Sequence, residues 1–73
     1  ADNLNAALRF YDEVDRLLSL IARHPRMGEA VDHLGPGVRR HTLGNYLLFY
    51  RLCGDGIEVI RVLHGARDID RLF

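Results

Sequence analysis

Apolar residues recur at every third or fourth position along the first third of the chain. This period places them on one side of a helix and predicts an amphipathic helix over residues 3–23. The apolar stripe consists of Leu4, Ala7, Leu8, Tyr11, Val14, Leu18, Ile21 and Ala22, with Phe10 and Leu17 widening it. Asp2 or Asn3 is expected to cap the helix, and the helix is expected to end before Pro25, because proline disfavours helical geometry in the preceding residue.

The rest of the chain has a strand-like pattern after a connecting loop. Residues 26–37 are interpreted as that loop because glycines and Pro36 interrupt them, with at most a helical turn over 29–34. The predicted strands are 38–43, 46–52 and 57–63. The second is almost continuously apolar and aromatic, which is typical of an inner strand buried on both faces. A helix followed by a three-stranded meander predicts an α+β fold.

Length and cysteine content limit how such a fold is stabilised. The 73 residues are interpreted as one domain, and a domain of this size buries only about 60% of its unfolded surface. The single cysteine, Cys53, cannot form an internal disulfide, so a reducing cytoplasm is the expected location. No apolar run approaches the roughly 20 residues that cross a bilayer, and no membrane contact is expected. Additional stability is expected to come from a partner chain.

Charge and motif content exclude several function classes. Ten acidic residues balance ten arginines, so no overall field attracts nucleic acid. The four histidines are not spaced along one helical turn, and a single cysteine is too few for a zinc cluster. The glycines do not form a phosphate-binding loop between a strand and a helix. We therefore expect no metal, no cofactor and no catalytic site.

Three features remain as candidate working surfaces. Arg39 and Arg40 alternate along a strand, so Arg40 is expected to reach a phosphate while Arg39 pairs with a carboxylate; the alternative is an ordinary solvated face. His64 and Arg67 flank a bend at a strand end, where the arginine either contacts a target or bridges the aspartate that follows it. The apolar pair Leu72 and Phe73 either packs on the core or docks on another molecule.

Five successive segments together resemble the ParE toxins of bacterial toxin–antitoxin systems. They are the amphipathic helix, HPRMG (24–28), LGPGVR (34–39), GNYLLFYR (44–51) and GIEVIRVLHGARD (56–68). The resemblance implies the RelE/ParE fold, in which a helical hairpin packs on an antiparallel sheet. It also implies that residues 3–23 are the second helix of that hairpin. The family's N-terminal strand and first helix are then missing before Ala1, and the complete gene product is expected to extend further upstream.

The resemblance also implies partners. A ParD-like antitoxin is expected to wrap the toxin and hold it inactive, and operator DNA is contacted only indirectly, through the antitoxin. Freed ParE toxins are associated with poisoning DNA gyrase, whereas RelE relatives cut messenger RNA on the ribosome. On this basis antitoxin binding is assigned to the helix residues Leu4, Leu8, Phe10 and Tyr11, and target binding to Arg40, His64, Arg67, Arg71 and Phe73.

Two departures from the RelE nucleases favour gyrase as the target. Leu47 stands where their strand has an arginine, and Phe73 matches their terminal tyrosine, whereas Arg67 does match a nuclease arginine. Leucine supplies neither charge nor proton, and phenylalanine has no hydroxyl for general acid–base catalysis. The chain is therefore interpreted as a gyrase-inhibiting toxin and not as an enzyme. The alternatives are a RelE-type ribosome-dependent endonuclease and a non-toxic structural or interaction module.

Overall fold

A computed structural model describes residues 2–65, with side chains described from Leu4 onward. Within this part a single α-helix precedes four strands, all in one antiparallel sheet with the order β1-β2-β3-β4. The elements are α1 (Asp2–Arg23), β1 (Glu29–Ala30), a 3₁₀ turn (Asp32–Leu34), β2 (Val38–Leu43), β3 (Tyr46–Cys53) and β4 (Gly56–His64). The α+β prediction is confirmed, as are the helix and the three longer strands.

The predicted loop over residues 26–37 contains more structure than the sequence pattern indicated. Its first half supplies the two-residue strand β1, which pairs with β2. The connection to β2 is closed by the Val31 amide, which donates to the Val38 carbonyl at 2.9 Å. The Asp32 carboxylate accepts a hydrogen bond from the Gly37 amide at 2.8 Å. The pattern missed β1 because both of its residues are exposed and a two-residue strand has no alternation to detect.

The core lies on both faces of β3. Leu48 and Tyr50 pack against the C-terminal half of the helix, where Leu17 and Ile21 are also buried. Phe49 points to the opposite face, where the cluster of buried residues also contains Val31 and Val38. Side chains alternate between the two faces of a strand, so a continuous apolar run fills both sides. The prediction that β3 is an inner strand buried on both faces is confirmed.

A hydrogen-bonded clamp fixes the end of the helix to the sheet. The Tyr50 hydroxyl donates to the Pro25 carbonyl at 2.8 Å and accepts from the Gly28 amide at 2.9 Å. Arg39 Nη1 donates to the carbonyls of Gly28 and Arg26, at 2.6 and 3.1 Å. A Cβ at Gly28 would lie 2.6 Å from the Tyr50 hydroxyl oxygen, so this close approach requires glycine.

Candidate functional site

The N-terminal half of α1 presents an apolar stripe to solvent. Leu4, Leu8 and Tyr11 are 64%, 55% and 67% exposed, and their spacing of four and three residues places them on one side of the helix. Phe10 is half-buried because its ring packs against Tyr46, with the ring centroids 4.7 Å apart. Of the four residues assigned to antitoxin binding, three are therefore open to a partner and the fourth anchors the helix to the sheet.

Tyr46, the first residue of β3, connects this helix surface to the end of β4. Its ring lies 4.7 Å from Phe10 and 4.8 Å from His64, and the planes are tilted by 47° and 59°. These separations are within the range of attractive ring–ring contacts. Tyr46 and His64 are also directly opposite each other in the β3–β4 pairing. The structure thus joins a predicted antitoxin contact and a predicted target contact through a residue to which the sequence analysis assigned no role.

Two open cavities flank the Tyr46 ring, and together they are named the Tyr46 groove. The first, of about 450 Å³, lies along α1 and is lined by Tyr46 with Ala6, Ala7, Phe10 and Tyr11. The second, of about 320 Å³, lies at the β2–β3 turn and is lined by Tyr46 with Thr42, Gly44, Asn45, Leu47, His64 and Gly65. Both are lined mainly by apolar surface. Such concave, mostly apolar surfaces with a few polar groups are typical binding sites.

Of the two strand arginines, Arg40 and not Arg39 pairs with a carboxylate. Arg40 binds Glu29 through both Nε, at 3.1 Å, and Nη2, whereas Arg39 donates to backbone carbonyls of the clamp. The prediction that Arg40 reaches a phosphate while Arg39 pairs with a carboxylate is therefore wrong in its assignment of the carboxylate. The physical reason is β1, which sets Glu29 directly opposite Arg40. A second cross-strand pair, Arg51 with Glu58 at 3.0 Å, lies on β3 and β4.

The remaining predicted target contacts are only partly described. His64 is exposed at the end of β4, on the rim of the Tyr46 groove. Arg67, Arg71 and Phe73 lie outside the described residues. Leu47, which stands where RelE nucleases have an arginine, is half-buried and packs against the cluster around Phe49.

Residues 2–65 were also compared with the requirements of a metal centre, a reactive thiol and a membrane span, as residues 2–65 contain histidine, cysteine and a long helix. In this range, no three histidine, cysteine, aspartate or glutamate side chains lie close enough together to hold a metal ion. Cys53 is an exposed free thiol at the end of β3. The described helix is not long and apolar enough to cross a membrane. Within residues 2–65, the Tyr46 groove and the apolar stripe of α1 are the candidate binding surfaces.

Both a family model and individual proteins that are similar in sequence to this chain are ParE toxins. The family model described as "ParE toxin of type II toxin-antitoxin system, parDE" matches residues 1–69. The protein named Toxin ParE1 of Mycobacterium tuberculosis is 39% identical over 69 residues, covering 93% of this chain and 70% of that relative. Toxin ParE1 of Caulobacter vibrioides is 42% identical over 52 residues, covering 71% of this chain and 53% of that relative.

Proposed function

The chain belongs to the ParE toxin family of type II toxin–antitoxin systems, and we propose that it is the toxin of such a pair. A cognate ParD-like antitoxin neutralises it, and the freed toxin inhibits DNA gyrase in the bacterial cytoplasm. The observation that carries this proposal is the family match over residues 1–69, together with the large apolar side chains that α1 exposes.

The exposed stripe is the proposed docking surface for the antitoxin. Fully burying a leucine side chain is worth about 1.5–3 kcal/mol, so covering Leu4, Leu8 and Tyr11 provides a substantial driving force. An antitoxin segment that orders on binding loses roughly 2–5 kcal/mol or more of conformational entropy, which this burial offsets. An amphipathic helix lying along the stripe, with its apolar face against α1, is the binding mode that the surface fits.

Gyrase inhibition is favoured over RNA cleavage because two residues of the nuclease set are replaced, by Leu47 and Phe73, although Arg67 is retained. Leu47 has no titratable group and packs in the apolar cluster around Phe49. Arg40, the strand residue that was expected to reach a phosphate, is bound to Glu29. RNA cleavage requires a proton donor, a proton acceptor and cations around the phosphate, whereas an inhibitory protein contact needs only a complementary surface.

Induced expression of the full chain in a bacterial host tests the proposal. We expect growth arrest with gyrase-linked DNA breaks and a DNA-damage response, and we expect co-expressed antitoxin to suppress both. Messenger RNA is sequenced from the same cultures. Prompt codon-periodic cutting of ribosome-bound messenger without DNA breaks would instead support the RelE-type nuclease. A harmless, monodisperse protein that binds no antitoxin would support a structural module.

A further inference from the structure

A single glycine fixes the end of β4. Gly65, the residue after the strand, has a φ of +78°, in the left-handed region that residues with a Cβ rarely adopt. Its amide donates to the Asn45 carbonyl at 2.7 Å, and Asn45 lies in the turn between β2 and β3. This bond extends the pairing of His64 with Tyr46 by one residue. The last described residue is therefore held against the sheet in a left-handed conformation.

We propose that Gly65 is a positioning residue for the target surface: its left-handed backbone sets the direction in which the chain leaves the sheet, and toxicity depends on that direction. The inference rests on the proposed function. The family match continues beyond Gly65 to residue 69, and the target contacts predicted at Arg67, Arg71 and Phe73 all follow it in the chain. The proposal holds whichever of these residues meets the target, because the direction of the chain affects all of them.

Backbone geometry separates this direction from the stability of the sheet. The angle φ is a rotation about the N–Cα bond, so a change at Gly65 turns the chain that follows and leaves β4 and the Gly65 amide in place. The hydrogen bond to Asn45 is on the unchanged side of that bond. One residue spans about 3.3–3.6 Å, so the rotation displaces a side chain two residues further on by several ångströms. Binding groups must be held to within about 0.5 Å, and contacts made by the following segment are therefore lost.

A second glycine provides a matched control. Gly54, in the turn between β3 and β4, has a φ of +57°. A Cβ at either Gly54 or Gly65 meets no described atom within 4 Å, so alanine acts at both positions through the backbone angle alone. The two glycines lie at opposite ends of β4, and Gly65, unlike Gly54, leads into the segment that contains Arg67.

Three substitutions test the role of Gly65. Gly65→Ala should reduce toxicity roughly tenfold, because an L-residue with a Cβ is disfavoured in the left-handed conformation by about that factor. Toxicity is measured as the amount of toxin needed to arrest growth, which does not presuppose the target. Gly54→Ala should remain as toxic as the wild type. Gly65→Asn should restore most of the toxicity, because asparagine adopts the left-handed conformation more readily than alanine.

Each variant is expressed as the full chain at a matched level, and its Tm and its binding to the antitoxin encoded by the adjoining reading frame are measured on purified protein. Gly65→Ala should lose no more Tm than Gly54→Ala and should bind the antitoxin like the wild type. A Gly65→Ala chain that is as toxic as the wild type, or less stable than Gly54→Ala, would contradict the positioning role, as would a folded but harmless Gly65→Asn chain. A wild-type chain that does not arrest growth contradicts the proposed function itself, and this inference with it.

Discussion

The two halves of helix α1 have the same apolar periodicity but different environments. In the C-terminal half, Leu17 and Ile21 are 8% and 0% exposed, whereas in the N-terminal half Leu4 and Leu8 are 64% and 55% exposed. The C-terminal half lies on the apolar face of β3, and the helix passes Tyr46, where β3 begins, at Phe10. Its first two turns therefore extend past that end of the sheet. The period of a helix identifies which side is apolar, and position in the fold decides whether that side is buried.

This difference separates residues that stabilise the domain from residues that remain available to a partner. A buried leucine or isoleucine contributes about 1.5–3 kcal/mol through its removal from water, and an exposed one contributes little. Exposed apolar side chains that lie together, as they do along the first half of α1, typically mark an interaction site. The comparison can therefore be tested by measuring stability and binding separately.

The largest expected effect is on the free energy of unfolding when the buried half is truncated. Ile21→Ala leaves a cavity between the helix and β3 and should lower that free energy by about 2–5 kcal/mol. Leu8→Ala, the matched change on the exposed half, should alter it by less than about 0.5 kcal/mol. Urea unfolding followed by circular dichroism measures both. Equal losses would mean that the first half of the helix is also part of the core.

A second test concerns the clamp that holds the buried half in place. Gly28→Ala adds a Cβ 2.6 Å from the Tyr50 hydroxyl oxygen and 2.9 Å from the Arg40 carbonyl oxygen. Such overpacking should destabilise the domain by about 1–3 kcal/mol, measured as a lower Tm. Gly56→Ala is the control, because a Cβ there meets nothing within 4 Å. A Tm for Gly28→Ala equal to that of the control would show that the clamp adjusts without strain.

The regular elements could be predicted because their patterns are periodic. The helix and the three longer strands follow directly from apolar spacing, and the burial of β3 follows from its continuous apolar run. β1 and the Glu29–Arg40 pair could not be predicted, because they depend on how the turn after α1 places Glu29 and Ala30 beside β2. Nothing in the local sequence indicates that pairing.

The Tyr46 groove depends on a register shift that the sequence pattern does not encode. Near the β3–β4 turn, Cys53 is opposite Gly56, and continuing that register would set Tyr46 opposite Leu63. An irregularity between Phe49 and Tyr50 shifts the pairing by one residue, so that His64 stands opposite Tyr46 instead. A one-residue slip moves every following side chain to the other face. The contacts of the Tyr46 ring with Phe10 and His64 therefore could not be derived by counting residues back from the β3–β4 turn.

A third prediction concerns the hydroxyl at the centre of the clamp. Tyr50→Phe keeps the buried ring but removes the acceptor for the Gly28 amide and the donor to the Pro25 carbonyl. Leaving one buried donor unpaired should reduce stability by about 1–2 kcal/mol, less than the loss of a core side chain. Amide hydrogen exchange at Gly28 should accelerate, because its protecting hydrogen bond is gone. Unchanged exchange would indicate that another group, such as water, replaces the hydroxyl.

The smallest expected effect lies at the ion pairs on the sheet, away from the helix. Glu29→Gln removes the negative charge that pairs with Arg40, whose side chain is 32% exposed, and exposed ion pairs of this kind contribute about 0.2–1 kcal/mol. The loss should shrink further in 1 M salt, because charges near the surface are screened. Glu58→Gln, at a pair whose two side chains are 49% and 51% exposed, is the control and should have an equal or smaller effect.

Glu29→Gln also releases Arg40 from its carboxylate. If Arg40 contacts the target, Glu29→Gln should raise toxicity while Glu58→Gln does not, and equal toxicity in both variants would remove Arg40 from the proposed target surface.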